Sequence, residues 1–246
     1  MLISTILLSL GVAQAADTTQ VRYTLAVDGE PVGFRELEVK YLLSEAGDEV
    51  RILESWTELT VTVAGTPFSY QQRLAGRGGD GGFASVVNEN GVNREIQAVH
   101  TPGGWIVTVA EGGQAKVYNM APTDFDLTSL LLVDPGATRG LDGRSQLQVL
   151  TAETGQVIGG TLATRGEVLV PVGDRTLKGT EYIWSLPEGE VRMAWGEKGH
   201  LLRYTMRVAG RNVTATLDAP PPERSWGSAM ETPLIPTAPT LKEDEL

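Results

Sequence analysis

Hydrophobic and polar residues alternate along most of the chain with a period of two. Val21, Tyr23, Leu25 and Val27 alternate with Arg22, Thr24 and Ala26, the signature of a strand with one buried face. Asp28-Gly29-Glu30-Pro31 supplies turn chemistry. On the return, Leu37, Val39, Tyr41 and Leu43 fall on one face and Glu36, Glu38 and Lys40 on the other. The same reading gives strands over 50–64, from Phe68 through Leu74, and over 83–87, 92–100, 105–111 and 115–120. Glycine pairs and Asn88-Glu-Asn-Gly91 separate them. Further runs follow at 146–150, 157–163, 168–172 and 181–186. A hairpin then turns at Gly196-Glu-Lys-Gly199, with Val191, Met193 and Trp195 before it and Leu202, Tyr204, Met206 and Val208 after it. One more run covers 212–217. About thirteen short strands at this spacing predict an antiparallel sandwich or barrel.

One stretch breaks the alternation. Pro122-Thr-Asp-Phe-Asp-Leu-Thr-Ser-Leu-Leu-Leu-Val-Asp-Pro135 predicts a helix of about ten residues, roughly 15 Å long. Thr123 can cap its start, Asp124 and Asp126 suit the first turn, and Pro135 and Gly136 stop it. Phe125, Leu127, Leu130, Leu131, Leu132 and Val133 cover most of its circumference, so such a helix belongs inside the sheet. Any apolar ligand held beside it would meet Phe125, Leu130, Leu131 and Val133, which are the candidate lining residues.

The two ends depart from the pattern in different ways. Residues 1–15 form an apolar run ending in Ala13-Gln14-Ala15, which reads as a signal peptide and is too short to span a bilayer. After Ala219, six of the thirteen prolines crowd into the last 28 residues and alternation stops. The expected organisation is a signal peptide at 1–15, one β-rich domain at 16–218 and a proline-rich disordered tail at 219–246.

Charge and cysteine usage narrow the partners. A net charge of −11 disfavours nucleic acid. The chain has no cysteine, which excludes disulfides, thiolate metal sites and cysteine nucleophiles. A cysteine-free exported chain fits a bacterial envelope, periplasmic or secreted.

Candidate chemistry is sparse. Gly76-Arg-Gly-Gly-Asp-Gly-Gly82 lacks the Lys-Ser/Thr and helix start of a phosphate loop, and a single copy cannot build a calcium β-roll; it reads as a hairpin loop. Glu36 and Glu38 share a strand face but imply no cleft, so they read as a solvated outer surface. His100 and His200 stand beside turns and belong to no metal-binding pattern, and no Gly-x-Ser-x-Gly elbow occurs. Four of the five tryptophans lie in strands, where large rings serve as core. No catalytic residue, metal site or cofactor is assigned, and the expectation is a non-enzyme.

The hairpin Tyr23-Thr-Leu-Ala-Val-Asp-Gly29 through Val32-Gly33, the segment Asp126-Leu-Thr-Ser-Leu-Leu131, and the run from Val168-Leu-Val-Pro-Val-Gly173 to Trp195-Gly-Glu-Lys-Gly199 and Leu202-Arg203-Tyr204 carry a likeness. On these residues the chain resembles exported bacterial β-rich proteins of unknown function, similar to the half-barrels of periplasmic lipoprotein carriers. The resemblance implies a curved antiparallel sheet around a helix and transfers no catalytic residue. The sequence therefore predicts an exported envelope protein binding an apolar or lipid-like ligand in a concave sheet. The alternative is a non-catalytic envelope scaffold or protein-interaction module with an envelope protein as partner. Neither reading includes a transmembrane segment in the mature chain.

Overall fold

Each alternating run becomes a strand because one of its two faces can be buried while the other stays wet. The computed structural model describes residues 15–43, 49–78, 81–134, 141, 143–197 and 199–220. The expected signal peptide and tail lie almost wholly outside these residues. The first eight strands form a meander: β1 (Ala15–Val27), β2 (Glu30–Leu43), β3 (Glu49–Val63), β4 (Thr66–Arg77), β5 (Phe83–Glu89), β6 (Val92–Thr101), β7 (Gly104–Glu111) and β8 (Gln114–Met120). A two-residue strand, β9 (Leu127–Thr128), begins the second half. It is followed by β10 (Gln146–Leu150), β11 (Val157–Val172), β12 (Arg175–Leu186), β13 (Gly189–Gly196), β14 (Leu201–Val208) and β15 (Arg211–Leu217).

Among the described residues these strands form one sheet in the order β8-β7-β6-β5-β4-β3-β2-β1-β15-β14-β13-β12-β11-β10-β9. Pairing of β1 with β15, Tyr23 opposite Leu217 and Leu25 opposite Ala215, joins the two meanders. Every neighbouring pair is antiparallel except β9 and β10, which run parallel. The sheet is curved and open, with β8 at one edge and β9 at the other. Two-residue turns set several registers. Asp28-Gly29, Ala64-Gly65, Asn90-Gly91 and Ala209-Gly210 all have positive φ at both positions, the handedness that matches strand twist in a hairpin.

The concave face carries the core. Leu25, Leu37, Val39, Leu53, Leu59, Val107, Leu147, Trp195 and Leu217 are buried there, each of the larger side chains stabilising by about 1.5–3 kcal/mol. The runs at 157–163 and 168–172 are not two strands but one, β11, bent by a bulge between Thr164 and Gly166.

The helix expected over 122–135 does not form. No helix occurs among the described residues, and this segment is a chain of turns around β9. Its polar side chains bind backbone groups that a helix would need or ignore. Asp124 accepts from the Ala121 amide at 2.7 Å, and Asp126 accepts from the Gln148 amide at 2.7 Å and from Arg144. The backbone amides of Asp126 and Ser129 donate to the Gln148 and Leu150 carbonyls of β10, at 2.8 and 2.9 Å. The remaining bonds span three residues, from Leu131 to Thr128, Val133 to Leu130 and Asp134 to Leu131. Burial of the apolar residues was read correctly, but the segment meets its backbone demands through β10 rather than through itself.

Candidate functional site

Two segments fill the concave face. The first is 125–134. Phe125, Leu130, Leu131 and Val133, the expected lining residues, are all buried. They are spread along the segment rather than gathered around one space. The Phe125 ring stands 5.2 Å from that of Trp105. Leu130 presses on Gly76, where a Cβ would overlap its side chain, and Leu131 lies against Gly81. Thr128 Oγ1 donates to the Gly81 carbonyl at 3.1 Å. The segment ends in a part-buried ion pair, Arg51 Nη1 to Asp134 Oδ1 at 2.6 Å.

The glycine-rich stretch 76–82 is thus a docking floor, which its composition did not announce; residues 79 and 80 lie outside the described residues. Glycine is required at 76 because backbone and plug approach too closely for any side chain.

The second segment is the β10–β11 connection, Thr151–Gln156. Gly155 sits with φ of +69° against Val109, Ile96 and Val107, with no space for a Cβ. Thr151 holds the turn closed through its contacts with Thr154 at 2.6 Å and the Gln156 carbonyl at 3.1 Å. Arg94 Nη1 donates to the Glu153 carbonyl at 3.2 Å, and the Ala152 amide donates to Ser129 Oγ at 2.8 Å. The two segments therefore brace one another.

Between these plugs and the sheet runs a polar row that alternation alone did not reveal, because each member occupies an inward position flanked by apolar ones. Tyr23, Arg35, Thr57 and Gln72 stand side by side across β1 to β4, and all are buried. Arg35 donates through Nε to Ser55 Oγ at 2.9 Å and through Nη1 to Tyr204 OH at 3.1 Å. Tyr23 donates to the Leu201 carbonyl at 2.9 Å, with its ring edge-on to Tyr204. Gln72 donates to Ser85 Oγ at 3.2 Å. Burial works against the Arg35 charge, but neighbours including Tyr204 and Glu153 more than offset it, so its pKa is raised and it remains a cation. Burial pushes the Tyr23 and Tyr70 hydroxyls above the ordinary tyrosine value, and the Glu153 carboxylate adds to the effect at Tyr70.

Two hollows open beside these residues. The cavity bordered by Val133, Tyr23, Leu37, Val39 and His200 measures about 10 Å³, room for at most one water. A larger hollow of about 190 Å³ lies along Trp56, Gln71, Arg73, Val86 and Asn88, where the Arg73 guanidinium stacks 4.2 Å above Trp56.

Glu36 and Glu38 face outward as read, paired with Arg22 at 2.5 Å and Lys40 at 2.9 Å. Elsewhere the outer face exposes Leu169 of β11, to 57%, and a further apolar group lies near one edge. There Val99 and Ile106, cross-strand partners, are exposed. Beyond them β8 is exposed along its length, Val117 to 61% and Tyr118 to 42%. Among the described residues the backbone of β8 pairs only with β7.

No three histidine, aspartate or glutamate side chains gather as metal ligands among the described residues. No helix there is long and apolar enough to cross a membrane.

No family model matches the chain, and no curated protein matches it. A solved structure does. A β-barrel-like protein of the domain of unknown function DUF1849 from Brucella abortus aligns with a TM-score of 0.57 at 10% identity. The alignment covers 82% of this chain and 96% of that one. At this identity the likeness shows the fold alone: a large β-rich sheet shared with a bacterial protein of unknown function.

Proposed function

We propose that the protein is a non-catalytic scaffold of the bacterial envelope that assembles through the edge strand β8, with a second copy of itself as partner. The observation that carries this reading is an interior occupied by its own plugs beside an edge strand exposed on both faces. An unpaired edge is a template for another strand. A two-fold axis normal to the sheet places residues of β8 opposite their symmetry mates, and centring it on Val117 uses all seven residues of the strand. Val117 then meets Val117, and Lys116 meets the Tyr118 ring rather than another lysine. Both pairings are favourable across antiparallel strands. Val99 and Ile106 extend the apolar contact on the outer face. Envelope location rests on the N-terminal sequence, residues 1–15.

Light scattering on the purified protein across a concentration series tests this. The expected result is a dimer that Val117→Lys converts to monomer, since two like charges are then forced together. A wild-type monomer at every concentration, or a dimer indifferent to the substitution, would reject the edge as the interface. The second reading, an apolar ligand beside Phe125, Leu130, Leu131 and Val133, is supported by the cavity bordering Val133, but ranks lower because about 10 Å³ admits no lipid chain.

A further inference from the structure

Arg35 is a buried charge without a buried counter-charge. The residue is 8% exposed, and its hydrogen bonds go to two neutral hydroxyls, Ser55 and Tyr204. No carboxylate among the described residues reaches it at ion-pair distance. Glu153 is near enough to act on it through space but is not bonded to it. Directly across the β2–β3 ladder, Thr57 Oγ1 is buried with no hydrogen-bond partner. Buried charges are ordinarily paired, and buried hydroxyls ordinarily bonded. Here a guanidinium bonded to no carboxylate and an unused hydroxyl stand side by side on one face.

We propose that Arg35 and Thr57 together hold the carboxylate group of a small ligand on the concave face. The guanidinium presents a planar fork that matches two carboxylate oxygens, and Thr57 adds a third donor. The charge count selects a monoanion over a phosphate dianion. Arg94, the cation nearest along the same cross-strand row, is already engaged by Glu111 at 2.7 Å and Glu89 at 3.8 Å. The Glu153 carboxylate of the Thr151–Gln156 plug acts on Arg35 through space, so a bound carboxylate competes with it and an acyl chain would have to displace this loop.

Calorimetric titration of the full chain with sodium acetate, and separately with decanoate, tests the proposal against sodium chloride at equal ionic strength. Saturable binding of acetate identifies a small free carboxylate as the ligand. Binding of decanoate alone identifies an acyl amphiphile that lifts the plug. Either result, weakened about ten- to hundredfold in Arg35→Gln, supports the site. Should Arg35→Gln fail to fold, Thr57→Val substitutes for it, with binding weakened about three- to tenfold. Glu153→Gln should leave binding intact or tighten it, because it removes a competing carboxylate. Absence of binding by the wild type, or binding that persists unchanged in the Arg35 or Thr57 variant, would overturn the proposal.

Discussion

If the plug is core rather than the wall of a ligand chamber, its apolar residues should behave as core under truncation. Leu130 has no exposed surface and sits against Gly76, where a backbone without a side chain cannot move in to refill the space. Leu130→Ala should therefore fall at the upper end of the usual range, about 4–5 kcal/mol. Leu131, slightly exposed beside Gly81, should cost about 3 kcal/mol. Phe125→Ala removes a ring packed on Trp105 and should cost about 3–4 kcal/mol. Val133→Ala loses two methyl groups beside an existing small cavity, for about 2 kcal/mol. Against a total stability of about 5–15 kcal/mol, the Leu130 variant alone could leave much of the protein unfolded. Urea denaturation with an unchanged m-value measures each cost, and an apolar fluorescent dye should not bind the folded wild type. A loss under about 1 kcal/mol at Leu130 or Leu131, or saturable dye binding by the native protein, would refute the reasoning.

Two further outcomes follow from the same packing. Gly155→Ala must force a side chain into Val109 at positive φ, so it should destabilise by about 2–5 kcal/mol. Gly143→Ala, equally left-handed but facing open space, should cost only about 1–2 kcal/mol; equal losses for the two would remove the argument for plug docking. Tyr23 and Tyr70 have raised pKa values, mainly through burial. The folded state therefore holds their protons more tightly than the unfolded state. The stability this confers is complete below the unfolded value near pH 10 and is lost as pH rises through the folded values. Ultraviolet titration should show phenolate formation delayed at these two residues until the protein unfolds. Ordinary titration of all six tyrosines near pH 10 in a protein that stays folded would contradict their burial.

The strands were legible because alternation reports burial directly, and Asp28-Gly29 and Asn90-Gly91 announced their turns. Strand number and spacing pointed to an antiparallel sandwich or barrel, and the resemblance pointed to a curved sheet. The helix did not survive because apolar content at 125–133 fixes burial but not backbone partners; Asp124, Asp126 and Ser129 find theirs at Ala121 and along β10. A pairing between positions 126 and 148 is non-local, and no local period encodes it. The polar row was hidden for a related reason. Arg35 and Thr57 each share the inward parity of an apolar neighbour, Leu37 and Leu59, but only the ladder from β1 to β4 sets them side by side. At Gly76 the sequence showed flexibility where the structure needs absence of a side chain. Self-complementarity of β8 was present in Lys116-Val117-Tyr118, but its meaning depends on β8 being an edge, which topology alone decides.

A single introduced cysteine tests the assembly most directly, because the natural chain has none. Opposed residues in an antiparallel pair have Cα atoms about 4.5–5.5 Å apart, within the span of a disulfide. Val117→Cys lies on the proposed axis and should give a disulfide-linked dimer under mild oxidation. Ala115→Cys faces Asn119 of the other copy, about 13 Å from its own mate at strand rise, and should form no disulfide link under the same conditions. Cross-linking through position 117 but not 115 is the result this account predicts. Equal cross-linking at both positions, or at neither, would contradict it.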